Sequence, residues 1–344
     1  MHAGADPLAV DDKDRSAVDI AWEAAFSKNK LAKGLGILLA QSSSHCYVEK
    51  FNLSLLHRTV LGMGRMDLKP LLENTSMSEI ESMDEHGQTP LYWAALRGDY
   101  QALSLLIQAG ANVNAINKYG ARILTAAITS GDSRCCQKIM ANPHCDINYM
   151  QLDGYTPLHL SCRHDVDIQV IEHLVCHGAN KTARTKLGHT PLMIATFNQR
   201  SAVCQYLISN MDVDELDIQS NDGACALHHA VMTGDHPTVH QLLENSANHR
   251  LQTHSKETVL HFAAQRSGDY ELLRILDSFD LEGVDPEAKN RAGYTAPQIA
   301  ESHHGCDPDW LQMFGVLVQN VSLGCLAPDL EAGAFEDAVE YQFS

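Results

Sequence analysis

Apolar residues in this chain recur with a helical period inside short segments, and the segments themselves recur. Leu103, Leu106 and Ile107 fall at i, i+3 and i+4, which lines them along one stripe of a helix. Ahead of that stripe stand Gly87, Thr89, Pro90 and Leu91, followed by Ala94, Ala95 and Gly98; behind it come Gly110 and Ala111. Each piece has a local physical role. The Thr89 hydroxyl suits a helix start, and Pro90 suits the first helical position, where a missing N–H has no intrahelical partner to lose. Ala94 and Ala95 let a neighbouring helix approach closely, and Gly110 fits the left-handed conformation that ends a helix. Asn112 and Asn114 then suit a turn. Residues 84–116 therefore predict a helix, a tight turn, an amphipathic second helix and a projecting hairpin-like finger.

The same order of residues returns along the chain. Gly154, Thr156, Pro157, Leu158 and His159 close with Gly178 and Ala179; Gly188, Thr190, Pro191, Leu192 and Ala195 follow; then Gly223, Leu227, His228 and Ala230. Thr258, Leu260, His261, Ala263 and Ala264 form a further copy, with Lys256 where glycine is expected. A worn copy holds Gly120, Leu124 and Gly131, with Arg122 and Ile123 in place of Thr-Pro, which predicts a poorly capped first helix. Weaker copies lie at Gly293, Thr295, Ala296, Ile299 and Ala300, where Pro297 replaces leucine, at Ser54, Leu55, Leu56 and His57, and at Gly4, Ala5 and Asp6 followed by residues 16–21.

These residues resemble the ankyrin repeat, whose T-P-L-H-x-A signature recurs every 33 residues. The resemblance implies an all-α solenoid of paired antiparallel helices with projecting hairpin loops. About nine registers are counted at spacings of roughly 33 to 38 residues, five well formed and the terminal ones degenerate. The expected division is degenerate repeats with an incomplete first one over 1–83, the main array over 84–284, a last degenerate repeat with a capping helix over 285–321, and an acidic tail over 322–344. Trp310, Met313, Phe314 and residues 316–318 supply the apolar face of that closing helix. Because Gly4-Ala5-Asp6 is a segment that follows a second helix, the reading expects a longer protein upstream. Residues 41–50 and 74–83 interrupt the period and are expected to form surface loops or short extra turns.

The resemblance also implies where a partner sits. In the family, finger tips and the exposed side of the first helices form a concave groove whose variable positions are fitted to a protein partner. Carried onto this chain, those positions include Glu85, His86, Gln88, Leu96, Arg97, Lys118, Tyr119, Tyr155, Arg163, His164, Lys186, His189, Phe197, Asp222, Met232, His254, Gln265 and Arg266. Arg97, Tyr119, Tyr155, Arg163, His164, His189, Phe197, Met232 and Arg266 are the candidate binding residues, because aromatic and arginine side chains combine buried area with directional polar ends. The centre of the array, Tyr119 to Phe197, is expected to carry most of the affinity. Four histidines near the groove, His86, His164, His189 and His254, offer a pH dependence of binding.

Composition narrows the classes further. The 344 residues carry 43 acidic against 25 basic side chains, a formal charge of -18, which opposes direct binding to nucleic acid or anionic lipid. No run approaches 18 apolar residues and residues 1–14 have no apolar core, so neither membrane insertion nor a secretory signal is read. Localisation is expected to be cytoplasmic or nuclear, and the Asn52, Asn74, Asn180 and Asn320 sequons count as chance matches. Ten cysteines without a C-x-x-C pair do not form a disulfide framework or a zinc ribbon.

No phosphate-binding glycine loop, H-E-x-x-H or G-x-S-x-G occurs, so no enzymatic activity, cofactor or metal is expected. His57, His159, His228 and His261 occupy the signature position, where the family uses imidazole as a brace. His303, His304, Cys306 and Asp307 have metal-binding types without ligand spacing and read as a polar loop. The function expected is that of a non-catalytic interaction module, a scaffold, adaptor or regulatory subunit, monomeric on its own. The alternatives are a targeting or autoinhibitory segment of a longer multidomain protein and a transcription co-regulator.

Overall fold

A computed structural model describes residues 51–63, 66–302 and 307–324. The expected first repeat at residues 4–21, the 41–50 connection, most of the 303–307 polar loop and most of the acidic tail lie outside the described residues. Among the described residues the protein is helical, with one isolated antiparallel bridge between Ile116 and Arg122 and no strand. The chain divides into two compact units, residues 1–186 and residues 187–344, with the boundary inside the expected 84–284 array.

In the first unit, helices pair in chain order: α1 (Leu55–Val60) with α2 (Leu68–Leu72), α4 (Pro90–Leu96) with α5 (Tyr100–Gln108), α6 (Ile123–Ser130) with α7 (Ser133–Met140), and α8 (Pro157–Arg163) with α9 (Ile168–Cys176). First helices pack on first helices, α1 on α4, α4 on α6 and α6 on α8, and second helices on second, giving two layers. The small residues explain the first layer: Ala94, Ala95, Ala126 and Ala127 are wholly buried, so adjacent helices approach without a bulky side chain between them. The second layer buries the predicted stripe through Leu103 and Leu106, and likewise Ile139, Ile171 and Leu174, each worth roughly 2 kcal/mol of apolar transfer. The interruption at 74–83 contains an extra turn, α3 (Met77–Ile80), started by Ser76 with Glu79 and anchored by buried Ile80.

In the second unit the pairs are α10 (Pro191–Phe197) with α11 (Ser201–Ile208), α13 (Ala226–Thr233) with α14 (His236–Glu244), and α17 (Ala296–Ser302) with α18 (Pro308–Gly324), while α15 (Val259–Ala264) packs on α13 and α17, and α16 (Tyr270–Ser278) on α14. A single turn, α12 (Val213–Leu216), lies between α11 and α13. Helix α18 is the longest described. It packs on α16 and α17 and buries Trp310, Phe314, Leu317 and Val321, with the Trp310 and Phe314 rings stacked at 5.3 Å.

The signature residues act as a mechanical joint. Thr156 receives a hydrogen bond from the His159 backbone N–H, while its hydroxyl lies 2.8 Å from His159 Nδ1 and its own N–H donates to that nitrogen at 3.2 Å. Ser54 with His57, and Thr258 with His261, repeat this geometry. Since Nδ1 accepts a backbone N–H, the ring proton sits on Nε2, which donates to the next finger: His57 to the Gln88 carbonyl (2.9 Å), His228 to Leu251 (3.1 Å) and His261 to Tyr294 (3.2 Å). Each imidazole therefore ties a helix start to the following repeat. Cys225 substitutes for threonine with its thiol 3.1 Å from His228 Nδ1, and Gln298 substitutes for histidine by accepting the Thr295 N–H at 3.0 Å. In the worn repeat Arg122 makes no side-chain cap at all.

The fingers close on themselves and on each other. Asp84 N–H donates to the Gln88 carbonyl, Asn117 to Ala121 and Gln151 to Tyr155 in the first unit; Ser220 to Ala224, Thr253 to Glu257 and Asn290 to Tyr294 do the same in the second. From finger to finger, Glu85 N–H donates to Phe51, Lys118 to His86 and Lys186 to Asp153, then Asn221 to Leu187, His254 to Asp222 and Arg291 to Ser255. This ladder forces a left-handed residue just before each first helix. Gly87, Gly154 and Gly223 fill that position with positive φ, and a Cβ at Gly223 would stand 2.6 Å from the His254 nitrogen. Asn52 (φ 50°) and Lys256 (φ 60°) hold the same conformation without glycine, at a steric cost of about 1 kcal/mol or more.

Candidate partner-binding surface

The expected partner-facing side chains come from two places in each repeat, the finger, which the backbone ladder holds, and the end of the first helix. In the first unit, Tyr119 projects from a finger with 57% of its surface exposed, and its hydroxyl lies 2.9 Å from His86 Nδ1. The His86 ring stands 5.9 Å from both Phe51 and Tyr119, so three consecutive fingers present a ladder of rings. One repeat on, the Arg163 guanidinium at the end of α8 lies 5.9 Å from the Tyr155 ring, within cation–π range. Arg163 is exposed, whereas Tyr155 and His164 are half-buried.

In the second unit, Phe197 ends α10 with 59% exposure, and its ring and that of His189 both stand edge-on to His229, at 6.1 and 5.7 Å. Met232, on α13, is half-buried, and its carbonyl accepts Arg266 Nη1 at 3.3 Å.

Two of the nine candidates are turned into the fold. Arg97 donates to the Val60 carbonyl at 2.5 Å, and Arg266 bonds both Met232 and the Asp269 carboxylate. The two arginines occupy equivalent positions and each grips the preceding repeat. Among the wider set of variable positions, Gln88 and Leu96 are buried, so they belong to the core and not to a surface. Conversely, His229 was not among the candidates, although it sits between two of them. It is 8% exposed, its Nε2 has no hydrogen-bond partner, and burial followed by the neighbouring His189 pushes its pKa down to about 4. The available signal was the doubled His228-His229: the second histidine follows the signature position, where Trp93, Leu160, Ile194 and Phe262 stand in other repeats.

Burial pushes the thiols of Cys135, Cys136 and Cys204 up to about 12 and those of Cys145 and Cys225 to about 11, which suppresses thiolate nucleophiles. Among the described residues, no group of three or more His, Cys, Asp or Glu side chains is arranged around a metal-sized space, and no helix is long and apolar enough to cross a membrane.

The family model for ankyrin repeats matches three times, over residues 45–151, 123–222 and 213–290. The chain belongs to the ankyrin-repeat family. It is 33% identical over 117 residues to human SH3 and multiple ankyrin repeat domains protein 2, covering 33% of this chain and 6% of that protein. It is 24% identical over 192 residues to human transient receptor potential cation channel subfamily A member 1, covering 54% of this chain and 17% of the channel. The tyrosine-protein kinase HTK16 of Hydra vulgaris matches at 29% over 135 residues, 39% of this chain and 17% of the kinase. The chain thus spans less than a fifth of the length of these relatives. The crystal structure of human ASB11 ankyrin repeat domain superposes with a TM-score of 0.54 at 22% identity, covering 70% of this chain and all of that one. That likeness supports the ankyrin fold, and the repeats mark the chain as a protein–protein interaction module.

Proposed function

We propose that the protein acts without catalysis, as a scaffold, adaptor or regulatory subunit, by holding a protein partner against the finger and first-helix faces of its two units. The observation that carries this reading is the placing of large apolar side chains in solvent on ordered backbone: Tyr119 and Phe197 are each more than half exposed, Tyr119 on a finger bonded to its neighbour through Lys118 and His86, and Phe197 at the end of helix α10. Exposed aromatics gain most from burial by a partner, and a rigid support loses little entropy when they are buried. Tyr155, Arg163 and His164 join Tyr119 on the face of the first unit, with Arg97 positioning a helix end behind it; His189 and Met232 join Phe197 on the face of the second, with Arg266 in the same role. The formal charge of -18 argues against direct nucleic-acid binding, and the free chain is proposed to be monomeric.

The test is affinity capture of a partner followed by titration of the triple alanine variant at Tyr155, Arg163 and Phe197. Binding is expected to weaken by at least ~2 kcal/mol. An unchanged affinity rules this face out.

A further inference from the structure

The second helix of the fourth described repeat carries a feature that the interaction surface does not use. On α9, His173 and His177 stand one helical turn apart, their rings within 22° of parallel and 6.3 Å between centroids. His173 Nδ1 lies 2.6 Å from the Gln169 carbonyl, and His177 Nδ1 lies 2.7 Å from the His173 carbonyl. A carbonyl only accepts, so both Nδ1 atoms carry the ring proton, and in neutral imidazole this leaves the Nε2 lone pair bare. Metal-bound histidines show this tautomer and this bond, with the non-ligating N–H held by a backbone carbonyl or carboxylate. It is the reverse of the signature histidines His57, His228 and His261, whose Nδ1 is the acceptor.

We propose that His173 and His177 chelate a borderline divalent transition-metal ion through their two Nε2 atoms, on the outer side of α9. Metal–nitrogen bonds of about 2.0–2.1 Å require the two nitrogens to come within about 4 Å of each other. Side chains at i and i+4 meet that distance by scissoring their rings, with the backbone fixed. The surroundings leave room: His177 is exposed, and a Cβ at the adjacent Gly178 would meet nothing within 4 Å. Water fills the remaining coordination positions. Imidazole nitrogen selects Cu(II), Ni(II) or Zn(II) over Mg(II) and Ca(II), with Cu(II) tightest. The other i, i+4 histidine pair, His236 and His240 on α14, is already engaged, His236 Nε2 with Asp269 (2.7 Å) and His240 Nδ1 with Glu244 (3.3 Å).

The experiment titrates Ni(II) into the full chain by calorimetry at pH 7.5, in a Cys176→Ser background so that the exposed neighbouring thiol is not an alternative ligand. H173Q and H177Q should each weaken the tightest site by at least about tenfold, because either change turns a chelate into a single ligand. H240Q should leave it unchanged. Long-range ¹H–¹⁵N spectra should show both rings protonated on Nδ1 before metal is added. Retention of the tight site in either single variant, loss of it in the Cys176→Ser background itself, or Nε2 protonation of either ring overturns the assignment.

Discussion

Replacing His228 by glutamine separates two things the signature histidine does. The structure supplies the replacement, since Gln298 already accepts the equivalent Thr295 N–H in the last repeat. At neutral pH the variant keeps the bond at the helix start. It loses the Nε2 bond to the Leu251 carbonyl and the ring contact with Phe262 at 5.3 Å, a cost of about 1–2 kcal/mol. Acid reverses the comparison. Burial lowers the His228 pKa from 6.5 to about 4, so below pH 6.5 the unfolded chain binds a proton that the folded chain refuses. Its stabilising contribution is complete above the unfolded value and drains as pH falls towards the folded one. Between pH 7 and pH 4.5 that drain amounts to roughly 2–3 kcal/mol, which the glutamine variant does not suffer. His229, also lowered to about 4, keeps its own acid sensitivity in both proteins. Urea unfolding at the two pH values should show the wild type ahead at pH 7 and its lead lost or inverted at pH 4.5. Parallel pH dependence in the two proteins, or a His228 proton resonance titrating near 6.5, would refute the reasoning.

Further outcomes follow from the left-handed positions and the closing helix. Gly223→Ala places a Cβ 2.6 Å from the His254 nitrogen at a φ of +84° and should cost at least ~2 kcal/mol in denaturant unfolding, while Lys256→Gly at the equivalent site should gain about 0.5–1 kcal/mol by relieving the φ of 60°. A neutral Gly223→Ala, or a destabilising Lys256→Gly, contradicts the ladder that imposes this conformation. Trp310→Ala empties a fully buried site stacked on Phe314 and should destabilise by about 3–5 kcal/mol, with α16 losing amide-exchange protection first. Uniform exchange across α15, α16 and α17 in that variant would show that α18 does not close the stack.

The helices and their pairing were legible in the sequence because each repeat spells out its own start, its small-residue contact and its end within a few residues. The Thr-Pro pairs at 89, 156 and 190, the alanines behind them and the amphipathic stripe around Leu103 are local signals with local consequences. The worn first helix at Arg122 was equally readable, since what it lacks is a hydroxyl at one position. The candidate surface was less legible, because exposure depends on what the next repeat places above a residue. Leu96 and Gln88 occupy variable positions and are buried by their neighbours, and the Arg97 and Arg266 guanidiniums find carbonyls in the preceding repeat some 34 to 37 residues away. His229 is not legible for the same reason: its burial between His189 and Phe197 is a product of packing three segments together. The short helix α3, within the 74–83 segment expected to hold loops or short extra turns, arises from Ser76 and Glu79 capping each other.

The central claim is that partners are held on the finger and first-helix side. It is tested most directly by placing a photo-crosslinking amino acid in the full chain at Tyr119 or Phe197 and, separately, at Arg274 on the second helix α16, whose side chain is also exposed. Irradiation in cells followed by mass spectrometry should give adducts to one common protein from Tyr119 and Phe197 and none from Arg274. Adducts from Arg274 alone, with Tyr119 and Phe197 silent, would contradict the account.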